Sequence, residues 1–241
     1  MGDKQRIWQG SNQAGVFHCT HLPTPYRKEF LTKLQSLMDV EAHAFKLKSG
    51  KKLFWQNGPA SRFYLILEGC LKETYVDQTG YESIVEFYYC NEFIGLESLG
   101  EHTYKNTAEA ITTSWVSGIP CPDLKNNLFK NAPELEHSVW GLMGDAITAA
   151  RRHVRLLKLS TADQKLANFL LARCERSGRV FPTTVHMPMA RQDIASYLKM
   201  SAETLSRLFK RFESRGLIRG TKRHVEIIDY EGLTSLLHMD E

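Results

Sequence analysis

The sequence predicts an α+β fold in three parts: an N-terminal antiparallel β-barrel or sandwich, one long helix, and a C-terminal winged helix-turn-helix. Three observations carry this. From Val40 to about Leu124, short alternating or apolar runs are punctuated by Gly50, Gly58, Gly69, Gly80 and Gly95. From Pro133 to Lys158 no proline interrupts the chain, and apolar residues recur at helical steps. From Pro188 to Gly216, two helical patterns meet at a tight turn. The expected divisions are an arm at 1–23, a barrel domain at 24–132, the long helix at 133–158 and the winged unit at 159–241.

The arm is polar and irregular. His18, Cys19 and His21 cluster there, but ligands so close together cannot by themselves close a tetrahedral metal site. Thr24–Asp39 spaces Tyr26, Phe30, Leu31, Leu34, Leu37 and Met38 as an amphipathic helix. The strand runs are AHAFKLK, KKLFWQ, FYLILEG, CLKETYV, SIVEFYY, EFIGLES and SWVSGIP, with Asp77-Gln78-Thr79-Gly80 as a hairpin turn. No phosphate-loop, dinucleotide, zincin or nucleophile-elbow motif interrupts them.

Pro133–Lys158 would run about 39 Å as a helix. Leu135, Val139, Leu142, Ala146, Ala150, His153 and Leu157 form a stripe that Met143, Ile147 and Val154 widen. One stripe for the barrel and another for a twin helix explains that width. The expected homodimer seam is Leu142, Met143, Ala146, Ile147, Ala150, Val154 and Leu157, free of acidic residues from Ala146 onward. Packing of the whole stripe within one chain is the alternative.

Ser160 then opens a new helix, with Asp163 at N3 and Leu166, Phe169 and Leu170 as its core face through Arg176. Val180-Phe181 and Val185-His186-Met187 read as a small hairpin. In the helix pair, Arg191–Leu198 is the first helix, Lys199–Ser201 the turn and Ala202–Ser214 the second. Ile194, Ala195 and Leu198 face Leu205, Leu208, Phe209 and Phe212, with Ser201 as N-cap and Gly216 at C′. The outer face of the second helix carries Glu203, Ser206, Arg207 and Lys210, as a recognition helix in a DNA major groove would. Leu217–Arg219 and Val225–Ile228 make the wing, with Thr221-Lys222-Arg223 at its tip.

Charge supports the same division. The net charge is +4, yet residues 1–150 carry −3 and residues 151–241 carry +7. The basic excess therefore sits with the helix pair, as phosphate binding requires. No run is long and apolar enough for a membrane, and the N-terminus has no signal-peptide core, so a cytoplasmic protein is expected. Five widely spaced cysteines without a CxxC pair argue against a disulfide framework or zinc ribbon.

This order of parts resembles the CRP/FNR family of bacterial transcription regulators over about residues 24–230, most specifically in RQDIASYLKMSAETLSRLFKRF. The resemblance implies that the barrel is a double-stranded β-helix (jelly-roll) of cyclic-nucleotide-binding-like type. Glu203, Ser206 and Arg207 match the Glu-x-x-Ser-Arg of the FNR branch. By resemblance they read a TTGAT-N4-ATCAA-like palindrome of double-stranded DNA, bound by a homodimer that acts on RNA polymerase. Arg207 can donate twice to guanine and Glu203 can accept from cytosine. Arg191, Gln192, Ser201, Thr204, Lys210, Lys222 and Arg223 are assigned to phosphates. Ala190 departs from the family, where a capping Thr often precedes the first helix.

The family's cyclic-nucleotide anchors map to Leu96, Tyr104 and Lys105, so cAMP is not expected. The FNR iron–sulfur cluster needs four cysteines. Here the N-terminal group has only Cys19, and Ser117 stands at the fourth position with Cys121 nearby. No cofactor is expected. Three inputs stay open: regulation by abundance, a small molecule or haem in the barrel, or a thiol switch at Cys19 or Cys121. A cupin-like metalloenzyme is disfavoured, since His43 and His102 lack the HxH spacing. A DNA-binding module that represses only by occlusion is a further alternative.

Overall fold

The computed structural model describes residues 30–32, 43–121, 133–176, 183–220 and 223–238. The arm with Cys19, most of the Thr24–Asp39 helix, Val180, Phe181 and Lys222 lie outside these residues.

Eight strands form two four-stranded sheets. They are β1 (Ala44–Leu47), β2 (Lys52–Phe54), β3 (Arg62–Glu68), β4 (Cys70–Val76), β5 (Glu82–Tyr89), β6 (Phe93–Ile94), β7 (Thr107–Ala110) and β8 (Ser114–Pro120). One sheet has the order β1-β8-β3-β6 and the other β2-β7-β4-β5, all pairs antiparallel. The turn Asp77–Gly80 links β4 to β5 as the sequence predicts. Asp77 accepts from the Thr79 and Tyr81 amides, and Gly80 takes φ +82°, which glycine adopts at little cost.

Alternation along β3 divides the core. Ile66 and Tyr64 point between the sheets with Phe54, Leu71, Ile94, Tyr104 and Val116. Phe63 and Leu65 point outward, to Phe30, Phe93, Ile119 and three residues of the long helix α1 (Pro133–Leu157): Leu135, Val139 and Leu142. The N-terminal half of α1 is thus seated on the barrel.

The winged unit comprises α2 (Ala162–Arg176), β9 (Thr183–His186), α3 (Arg191–Tyr197), α4 (Ala202–Ser214), β10 (Ile218–Gly220), β11 (His224–Ile227) and α5 (Tyr230–Leu237). Its small sheet has the order β10-β11-β9. Within the segment Val185–Met187, β9 pairs with the wing strand β11, Val185 standing opposite Val225, while the other half of the expected hairpin, Val180-Phe181, lies outside the described residues. Gly220 sits at φ +140°, and a Cβ there would lie 2.2 Å from the His224 carbonyl oxygen, so the wing turn requires glycine.

The helix pair forms as its sequence dictates. Ser201 caps α4 by accepting from the Thr204 amide at 3.0 Å, and Leu205, Leu208, Phe209 and Phe212 are buried. Gly216 takes φ +69° just past the C-terminus. Ala190 caps α3 with extended backbone and no side-chain bond. Ala190→Thr should therefore add about 1 kcal/mol of stability, measured by urea denaturation.

Candidate nucleic-acid interface

Helix α4 presents one face to solvent. Glu203 and Arg207, one turn apart, are 72% and 78% exposed and form an ion pair. An exposed pair of this kind adds little stability. It does hold a guanidinium and a carboxylate side by side, so the donor fork and the acceptor reach adjacent positions. Ser206 donates its hydroxyl to the Ala202 carbonyl at 2.9 Å, which leaves the oxygen's acceptor capacity outward. Lys210 is exposed beside them, as are Gln192, Ser201 and the wing's Arg223. Thr204 is half-buried and shares a 2.8 Å hydroxyl contact with Ser201.

Arg191 differs from its expected place. Its guanidinium lies 3.3 Å over the Phe209 ring, and its Nη1 is buried without a hydrogen-bond partner in the structure. Burial lowers its pKa to about 10, with Glu213 opposing the shift. Arg191 thus fastens α3 to α4 rather than standing free for phosphate.

The seam on α1 also differs in one member. Leu142 is 2% exposed and packs on the chain's own barrel, so it is covered before any second chain arrives. Trp140, Ile147 and Val154 are exposed instead, each seven residues from the next, with Ile147 at 54% and Val154 at 53%. Ala146 and Ala150 are exposed, and Met143 and Leu157 are half-buried, on the same side.

The winged unit is held against the barrel through α3. Lys72 on β4 reaches Asp193 at 3.4 Å, and Ser196 Oγ accepts from the Ile84 amide at 3.3 Å. Tyr197 is the centre of this contact. Its ring stacks on His153 of α1 at 4.0 Å and meets Phe87 at 5.3 Å, and its hydroxyl donates to Glu86 at 3.3 Å. Arg211 of α4 pairs with Asp163 of α2. None of these contacts is visible in the sequence, because their partners lie far apart along the chain and on unrelated local patterns.

The barrel holds a buried carboxylate. Glu73 is buried, accepting from Tyr88 Oη at 2.9 Å and Asn106 Nδ2 at 3.2 Å. Burial raises its pKa to about 7, with nearby Glu97 adding to the shift. Of the three anchor positions, Tyr104 stacks on Phe54 and donates to the Arg62 carbonyl. Lys105 points outward to Glu101 at 3.0 Å, and Leu96 packs with the Phe63 cluster. None offers an inward cation. Between the unfolded value of 4.5 and the folded value near 7, folding takes up a proton at Glu73. Stability should therefore fall as pH rises through this window, by up to about 3 kcal/mol. Glu73→Gln should flatten that slope, read by urea denaturation across the same window.

Among the described residues, the cysteines offer little to a thiol switch, and Cys19 lies outside them. Cys121 is 6% exposed and lies 3.1 Å from Ser98 Oγ, so an oxidant cannot reach it without opening the barrel. Cys70 and Cys174 are buried, and Cys90 is half-buried. Among the described residues, no group of three or more His, Cys, Asp or Glu could hold a metal ion, and no helix is long and apolar enough to cross a membrane.

Comparison with known proteins agrees with this arrangement. A family model described as a Crp-like helix-turn-helix domain matches residues 164–236, and one described as a cyclic nucleotide-binding domain matches residues 44–131. The chain is 32% identical over 205 residues to the transcriptional activator protein FnrA of Stutzerimonas stutzeri, covering 84% of each protein. The chain belongs to the CRP/FNR family of transcription regulators. Its identity to the transcriptional activator protein Anr of Pseudomonas aeruginosa is also 32%, with the same coverage. In fold it is similar to FixK2 of Bradyrhizobium japonicum, with a TM-score of 0.74 at 23% identity, over 82% of this chain and 98% of that one. Like its family, this regulator binds DNA through its helix-turn-helix. Its N-terminal domain is the family's cyclic-nucleotide-binding β-sandwich, and its relatives are regulators rather than enzymes.

Proposed function

We propose that this CRP/FNR regulator binds as a homodimer to a TTGAT-N4-ATCAA-like palindrome and acts on RNA polymerase there. The observation that carries the reading is the exposed Glu203–Arg207 pair on α4, with Ser206 between them. Arg207 reads guanine, Glu203 reads cytosine, and Ser206 offers an acceptor to the groove. Gln192, Ser201, Thr204, Lys210, Lys222 and Arg223 hold the phosphates and set the register, while Arg191 supports them from behind α4. The dimer forms along Trp140, Met143, Ile147, Ala150, Val154 and Leu157, which follow a heptad a/d pattern on the side of α1 away from the barrel. The names of the relatives FnrA and Anr favour activation over simple occlusion.

The barrel works without cAMP, since the anchor positions Leu96, Tyr104 and Lys105 turn no cation inward. It works without a [4Fe–4S] cluster as well, because the described cysteines are dispersed and Ser117 stands in a cluster position. Fluorescence anisotropy of the air-purified protein tests the reading, using a TTGAT palindrome, a TGTGA palindrome and a scrambled duplex at fixed salt. Tight binding to the first alone is expected. Equal binding to all three would contradict the assignment.

A further inference from the structure

A cleft of about 40 Å³ lies where three parts of the molecule meet, lined from α1 by Arg152 and His153, from α2 by Asn168 and Arg173, from β5 by Glu86 and from α3 by Tyr197. It is separate from the α4 face. It is also clear of the dimer seam, because Arg152 and His153 fall outside the Trp140–Ile147–Val154 stripe. Two guanidiniums and an imidazole face one carboxylate, so the lining carries a positive excess. The carboxylate is already engaged, as Glu86 accepts from the Phe87 amide at 2.9 Å and from Tyr197 Oη at 3.3 Å. Arg173 is buried and fixed in place, its guanidinium 3.6 Å over the Tyr89 ring, while Arg152 is exposed at the rim. A buried cation held over a ring, an exposed cation at the rim and an amide in the same lining suit a small oxygen-rich anion. The volume suits a bare ion.

We propose that this cleft binds a phosphate-sized oxyanion, which pins the winged unit to the long helix when bound. The anion would bridge Arg152 of α1 to Arg173 of α2, beside the Tyr197 contact that carries α3. Its effect would reach the DNA-binding unit without any change inside the barrel.

Calorimetric titration of the full chain with inorganic phosphate, against chloride at matched ionic strength, tests the site. One saturable site per chain is expected. Arg152→Gln should weaken it about tenfold, the loss of one charge-assisted contact. Ala172→Leu, which fills the cleft wall without changing charge, should weaken it similarly. Lys210→Gln, on the DNA face, should leave it unchanged. Arg152 is exposed, so its variant keeps the fold, and circular dichroism checks this. Methyl phosphate in the same titration distinguishes the sources: weaker binding assigns the free ion, equal or tighter binding a phosphomonoester. Amide exchange in α2 and α3 should slow on adding phosphate to the parent but not to Arg152→Gln. Absence of saturable binding, binding lost in Lys210→Gln alone, or an Arg152→Gln protein that titrates like its parent would overturn the site. Unaltered exchange in the phosphate-loaded parent would overturn the pinning.

Discussion

Ile147→Asp is expected to break the dimer and, with it, operator binding. Ile147 stands at the middle of the exposed stripe on α1, at 54% exposure, between Trp140 and Val154. In a two-fold seam the equivalent residues of both chains meet, so the substitution buries two like charges against each other without a partner. An uncompensated buried charge costs about 3–5 kcal/mol, which converts to a loss of at least about a hundredfold in dimer affinity. The single chain should lose little stability, because among the described residues Ile147 belongs to no buried hydrophobic cluster. Sedimentation equilibrium should show a monomer, and anisotropy on the palindrome should fall toward the affinity of one half-site. A folded Ile147→Asp dimer would place the seam elsewhere. Leu142→Asp would be a poor substitute, since it would unfold the barrel contact instead.

Arg207→Ala is expected to cost about 1–3 kcal/mol on the TTGAT palindrome and to relax specificity at one base pair per half-site. The loss should be confined to that position, because a bidentate guanidinium discriminates at a single guanine. Lys210→Ala gives the contrasting result. It should weaken every duplex about equally and lower the salt slope by about one. Anisotropy with a set of singly substituted duplexes separates the two. A uniform loss in Arg207→Ala across all duplexes would reassign Arg207 to the phosphate backbone. The ion pair with Glu203 adds a further expectation: removing Glu203 should leave Arg207 free to bind guanine with a less fixed geometry.

The winged unit was the most legible part of the sequence because its determinants are local. Ser201 as cap, the turn before it, the buried Leu205–Phe212 stripe and the outward Glu203–Arg207 pair all follow from spacing within one or two turns. The barrel was legible as a pattern of runs and glycines, but not in detail. Alternation from Leu71 carries Glu73 to the inner face, but CLKETYV gives no sign that a carboxylate is accommodated there, because its partners Tyr88 and Asn106 arrive from elsewhere. The α1 stripe is wide enough for two partners. Which residues face the barrel depends on where Phe63 and Leu65 emerge from β3, and the helical spacing alone puts Leu142 in the seam and leaves Trp140 out. Arg191 shows the same limit: an arginine at a helix start suggests phosphate, and only the packed Phe209 ring shows that it is engaged. Tyr197, which joins α1, β5 and α3, carried no local signal beyond an aromatic on a short helix.

Operator recognition by the proposed dimer requires two recognition helices held at a fixed spacing by a two-fold seam. Anisotropy on TTGAT palindromes with the N4 spacer, and with about five base pairs inserted, tests this most directly, since the insertion turns one half-site to the opposite face of the duplex. Tight binding to the N4 palindrome is expected and, on the lengthened one, affinity no better than that of a single half-site. Equal affinity for both duplexes would contradict it, because the half-sites would then be read independently.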